Sequence, residues 1–233
     1  MIDAVNIRSA FDSVPSHRLD AVTDGFSNAT GDVKRLICEH GEKLAVDRCR
    51  NYVDDDGQWK VEGCHYNDTE KMIRMDERLD DDSYTDMFRH EMGHFTDDQI
   101  GRPSLSEEFA QAIDADFYWY NPKTDSGREN LQQMLSDVQS SSAYYCHHYS
   151  DILSGVFRNN DMVRNAWEDN GDAYWGHKDE YWNGNEGPNH AVEREVFANL
   201  FAIYAENDPD TVSFVEKAFP NTTTRFKSMI GGT

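Results

Sequence analysis

Tyr84-Thr85-Asp86-Met87-Phe88-Arg89-His90-Glu91-Met92-Gly93-His94-Phe95-Thr96-Asp97-Asp98 is the stretch on which the reading of this chain turns. It reads as one helix, preceded by the acidic run Asp80-Asp81-Asp82 and ended before Gly101 and Pro103. Residues four apart on a helix share a face, so His90 and His94 present two imidazoles to one point in space. That is ligand spacing for a tetrahedral zinc, and Glu91 then lies beside the metal, placed to take a proton from a bound water. Gly93 costs about 1 kcal/mol against Ala in a helix interior; its place here implies close approach by a neighbouring element. Asp97 and Asp98, one turn beyond His94, are candidates to orient an imidazole.

A catalytic zinc takes a third protein ligand and keeps a position open for water. In the metzincin pattern a glycine and a third histidine would follow at 97 and 100, where Asp97 and Ile100 stand instead. The leading candidate is Glu195, in Glu193-Arg194-Glu195-Val196-Phe197-Ala198-Asn199-Leu200-Phe201-Ala202. Ala198 and Ala202 share its helix face and are small enough to let that helix approach the histidines, and Asn199 is placed to hydrogen-bond near the site. Glu193 falls on the opposite face. Asp114 and Glu108, on the next helix after the motif, are rivals, and so is Cys64 in Glu62-Gly63-Cys64 upstream.

Around this core the chain divides in two. Residues 1–36 read as short helical pieces broken near Pro15 and at Gly25 to Gly31, an N-terminal extension to a domain over residues 37–233. Leu44-Ala45-Val46, Gln58-Trp59-Lys60-Val61 and Lys71-Met72-Ile73-Arg74-Met75 read as short strands. Ser104 or Ser106 starts another helix, residues 130–170 read as helical, and a last helix runs from about His190 to Ala205. A small mixed sheet followed mostly by helix is an α+β pattern. An extended substrate would add along the strand Met72 to Met75.

Composition narrows the function. With 44 Asp+Glu against 22 Lys+Arg the net charge is −22, which repels nucleic acid and anionic membranes and favours a cationic partner. The longest apolar run, Val196 to Ala205, is broken by Asn199 and too short to span a bilayer. No secretory signal is visible at the start, so the expectation is a soluble protein, cytoplasmic or exported by a non-classical route. Cys38, Cys49, Cys64 and Cys146 form no Cys-x-x-Cys pair and read as free, mostly buried thiols. Cys146-His147-His148 reads as a packing or surface cluster, because adjacent helical residues do not face one another.

Glu195-Val196-Phe197-Ala198 following His-Glu-Met-Gly-His resembles the gluzincin pattern of the anthrax lethal-factor-like metallopeptidases, domains of which also occur in phage-associated and bacterial toxin or effector proteins. Ser150-Asp151-Ile152-Leu153 and Gly176-His177-Lys178-Asp179-Glu180-Tyr181-Trp182 are similar to landmarks of the phage-associated members. The resemblance spans residues 60–205. It implies a zincin-like fold, mostly helical, with a small mixed β-sheet flanking the histidine helix. It implies zinc held by His90, His94 and Glu195, Glu91 as the catalytic base, and peptide bonds as substrate. Partners on this reading are a protein or peptide substrate and an inhibitor or immunity protein. Two departures stand out: the long separation of His94 and Glu195 requires an insertion, and the oxyanion-assisting tyrosine of that family has no fixed counterpart here, Tyr181 being the first candidate and Tyr174 the second. Two alternatives stand beside it: a non-catalytic phage or adaptor protein, and another zinc amide hydrolase. The second has a peptide-deformylase-like form in which Cys64 is the ligand, although the glycine-rich segment of deformylases is missing.

Overall fold

In the computed structural model, which describes residues 4–54, 56–121, 123–139, 147–158, 161–168, 176–177, 179–182 and 190–231, the chain opens with α1 (Ala4–Ala10), α2 (Leu19–Gly25) and α3 (Gly31–His40). The breaks fall where Pro15 and the segment from Gly25 to Gly31 place them. The boundary expected between residues 36 and 37, however, lies inside α3. Residues 4–36 also share a core with the histidine helix: Phe11, Phe26 and Phe88 pack ring against ring at 5.1–6.2 Å.

Five short strands follow, β1 (Ala45–Arg48), β2 (Asn51–Val53), β3 (Trp59–Val61), β4 (His65–Asn67) and β5 (Met72–Met75). β2 and β3 form a separate hairpin, turned at Gly57, whose φ of +76° suits a residue without Cβ. The other three make a mixed sheet in the order β1-β5-β4, β1 parallel to β5 and β4 antiparallel. This corrects the expected docking strand. Met72–Met75 is central, paired on both sides, and Ile73, Arg74 and Met75 are buried, so it has no edge to offer. The edges are β1 and β4, and it is β4 that lines the cavity over the histidines, which its sequence, His65-Tyr66-Asn67, does not announce by alternation.

The quoted stretch is α4 (Asp81–Gln99). The Asp80 side chain caps it by accepting from the Ser83 N–H at 2.8 Å, and Asp81 and Asp82 complement the positive end of the helix dipole. Tyr84, Phe88, Met92 and Phe95 form its fully buried apolar stripe. Beyond it come α5 (Glu107–Trp119, capped by Ser106), α6 (Asp125–Gln139), α7 (His147–Val156), α8 (Asp161–Glu168) and α9 (Asp179–Trp182). Then follow α10 (Ala191–Glu206), α11 (Pro209–Ala218) and α12 (Pro220–Ile230). The last two lie beyond the final helix expected from sequence; buried Asp116 of α5 caps α12 through the Thr222 N–H at 2.8 Å. No helix among the described residues is long and apolar enough to cross a membrane.

α10 is buried along almost its whole length, which makes it the central helix of the helical layer, packed on α4 and α7. Its contact with α4 explains Gly93. A Cβ built there would lie 2.6 Å from the Ala198 Cα and 2.8 Å from the Ala198 carbonyl oxygen, backbone that cannot move aside without separating the helices. Gly93→Ala therefore destabilises the fold despite its better helix propensity, by about 1–3 kcal/mol. A fall in Tm of roughly 2–12 °C is expected for a chain of this size. A thermal melt with unchanged or raised Tm contradicts this packing.

Candidate metal centre

The α4–α10 contact sets the ligand geometry, because His90, His94 and Glu195 all face the seam between the two helices. The His90 and His94 Nε2 atoms are 3.2 Å apart, and the Glu195 Oε2 lies 3.1 Å from the first and 3.4 Å from the second. Donors bonded at 2.0–2.1 Å to one tetrahedral ion are separated by about 3.3 Å, so the three atoms already form the face of such a tetrahedron. His90 and Glu195 are buried and His94 nearly so. Glu195 Oε2 itself has no hydrogen-bond partner although it is enclosed. Three lone-pair-bearing atoms converging on one buried point repel one another unless a cation sits between them, so the donor set fits a divalent metal ion.

Charge in the cluster is arranged accordingly. Burial works against a cation at His90, yet the Glu195 carboxylate at its Nε2, together with the charge of Glu91, pushes its pKa up to about 10. Burial likewise works against the Glu195 carboxylate, but the two histidines hold it well below the usual carboxylate range. In the metal-free protein a proton on His90 thus takes the cation's place. A metal ion must displace it at any pH below about 10, so metal binding near pH 7 releases about one proton from this residue and the affinity falls as the pH is lowered. Titration calorimetry in two buffers of different ionisation heat reads this directly; binding without proton release contradicts it.

Asn199, one turn after Glu195, holds His90 from behind. Its Oδ1 lies 3.0 Å from the His90 Nδ1, and its Nδ2 donates to the Glu195 backbone oxygen at 2.9 Å. The acidic residues expected to orient an imidazole do other work. Asp97 is buried and accepts from the Ser104 N–H and hydroxyl at 3.0 and 2.6 Å. Asp98 gathers the Tyr66 hydroxyl, Lys71 and Arg102, tying β4 to the end of α4.

Glu91 is buried beside the pair of histidines, and one of its oxygens accepts the Tyr66 N–H of β4 at 2.7 Å. The edge strand and the candidate base are therefore in direct contact. Tyr181, on α9, donates its hydroxyl to Glu195 Oε1 at 2.5 Å and stacks on His177 with ring centroids 4.0 Å apart. Burial and the neighbouring Glu195 carboxylate push the phenol's pKa far up, so it stays a donor. A cavity of about 880 Å³ opens over the centre, lined by β4, by His90, Glu91 and His94, and by His148, Asp151, His177, Tyr181 and Glu195.

The rival ligands are elsewhere. Asp114 and Glu108 are exposed on α5, and Glu108 lies 3.7 Å from Arg225. Cys64 borders the cavity, but its sulfur accepts the Asp76 N–H at 3.3 Å and is not part of the donor cluster. Cys49 and Cys64 are free thiols. Tyr174 and Cys146 lie outside the described residues. One residue was undervalued in sequence: His148, read as packing, is buried against Asn199 and His90. Asp86, one turn before His90 on α4, meets the His148 Nε2 at 2.9 Å.

Compared with known proteins, the chain matches no family model, no curated protein and no solved structure.

Proposed function

We propose that the protein is a zinc-dependent endopeptidase of gluzincin type, with a zincin-like fold similar to that of the lethal-factor-like enzymes. The observation that carries this reading is the triangle of Nε2, Nε2 and Oε2 atoms at 3.1–3.4 Å, with Glu91 adjacent and a cavity above it. His90, His94 and Glu195 would hold the metal. Zinc bound there supplies a Lewis acid that lowers the pKa of water towards about 7 and polarises a carbonyl.

The chain's own residues do the rest. Glu91 takes the proton of the attacking water on its carboxylate and returns it to the leaving nitrogen. The substrate backbone lies along β4, the edge strand that lines the cavity, whose Tyr66 N–H faces away from β5 and is held by Glu91. That position sets the scissile carbonyl beside Glu91. Tyr181 turns its single hydroxyl hydrogen from Glu195 Oε1 to the developing oxyanion.

Tyr181→Phe is expected to lower kcat by roughly 10²-fold, the scale of losing one oxyanion donor, with zinc content retained. Steady-state kinetics with metal analysis check it; loss of zinc with kcat per bound zinc unchanged makes Tyr181 a support for Glu195 instead. The function itself is tested by incubating zinc-loaded protein with a peptide library and comparing the cleavage products with those of Glu91→Gln. Cleavage that disappears in the variant supports the reading. Cleavage that survives it, or a protein that binds no zinc, refutes it.

A further inference from the structure

We infer that His148 is a positioning residue of the metal centre: braced by Asp86, it fixes the Asn199 amide and through it the orientation and tautomer of His90. The inference rests on the metal-centre reading given above. It begins with hydrogen-bond accounting at Asn199. The Nδ2 points to the Glu195 carbonyl, which only accepts, so this end of the amide must be the nitrogen. The oxygen therefore faces the two imidazoles, with His90 Nδ1 at 3.0 Å and His148 Nδ1 at 2.9 Å. An amide oxygen has two lone pairs and no proton. Both histidines must then carry hydrogen on Nδ1, and His90 is left presenting Nε2 to His94 and Glu195, as ligation requires.

His148 is held in that role from its other side. Its Nε2 lies 2.9 Å from the Asp86 Oδ1, and its ring stacks on that of His90, 5.9 Å away and 3° from parallel. Asp86 precedes His90 by one turn of α4, Asn199 follows Glu195 by one turn of α10, and His148 comes from α7. One side chain thus spans the two helices that supply the ligands. His148 is 3% exposed, a place where an apolar residue would pack at lower desolvation cost. With His148 absent, one lone pair of the Asn199 oxygen loses its donor, and the amide is free to tilt away from His90.

The test is a double-mutant cycle read on metal affinity, not on turnover. Zinc affinity is measured by chelator competition for the full chain, His148→Ala, Asn199→Ala and the double variant. His148→Ala is expected to weaken zinc binding about 10–100-fold, the usual cost of removing a group that orients a ligand. Because His148 acts through Asn199, the double variant is expected to bind zinc no more weakly than Asn199→Ala alone. The visible spectrum of the cobalt-substituted protein should change in His148→Ala, since the ligand field reports imidazole orientation. Asp86→Asn, which removes the brace and leaves the ring, should give a smaller loss in the same direction, and it serves as the second variant should His148→Ala fail to fold.

Unchanged zinc affinity and cobalt spectrum in a folded His148→Ala protein overturn the inference and leave the metal centre standing. Losses that multiply in the double variant also overturn it, since His148 would then act independently of Asn199. A parent chain that binds no zinc overturns both readings together.

Discussion

On the proposed peptidase reading, replacing Glu91 by Gln is expected to lower peptide hydrolysis by about 10²–10⁴-fold while one zinc per chain is retained. The two side chains have the same shape, and a Gln oxygen can still accept the Tyr66 N–H that Glu91 accepts at 2.7 Å. What is lost is the capacity to take up a proton from water and deliver it to the leaving nitrogen. Glu91 stands outside the donor cluster of His90, His94 and Glu195, so the metal should remain. Kinetics and metal analysis on the same preparation separate the two effects. Zinc loss in parallel with activity would move Glu91 into the ligand set, and full activity would remove it from the mechanism.

Replacing Glu195 by Ala is expected to have the largest effect on metal binding. Zinc sites of four ligands bind with about 10–16 kcal/mol, so one ligand accounts for roughly 2.5–4 kcal/mol, about 10²–10³-fold in affinity. The carboxylates weighed against it in the sequence do not take its place: Asp114 and Glu108 are exposed on α5, and Asp97 and Asp98 are committed to Ser104, Tyr66, Lys71 and Arg102. Tyr181 also loses its acceptor. Chelator competition measures the loss; stoichiometric zinc in Glu195→Ala, with zinc lost in Asp114→Ala, would transfer the third ligand to α5.

The histidine helix was readable because its information is local: cap, apolar stripe and ligand spacing all lie within about five turns. Glu195 was readable for a different reason. Ala198 and Gly93 are small residues on facing helices, and their complementarity carries a long-range contact into the sequence pattern. β4 was not readable, because its three residues are defined by pairing with β5 and by the contact of Tyr66 with Glu91 rather than by alternation. The docking strand was misplaced on β5 for the same reason: an apolar strand looks alike at a sheet centre and at an edge. His148 was hidden because helical spacing predicts only which residues share a face, and its partners Asp86 and Asn199 come from two other helices.

The most direct measurement of the central claim is zinc K-edge X-ray absorption on the zinc-loaded protein. Ligation by His90, His94 and Glu195 predicts two imidazole nitrogens and a carboxylate oxygen at about 2.0–2.2 Å, with a further light ligand in the open position. A sulfur at about 2.3 Å, or a spectrum of solvent-like zinc without imidazole scattering, would contradict it.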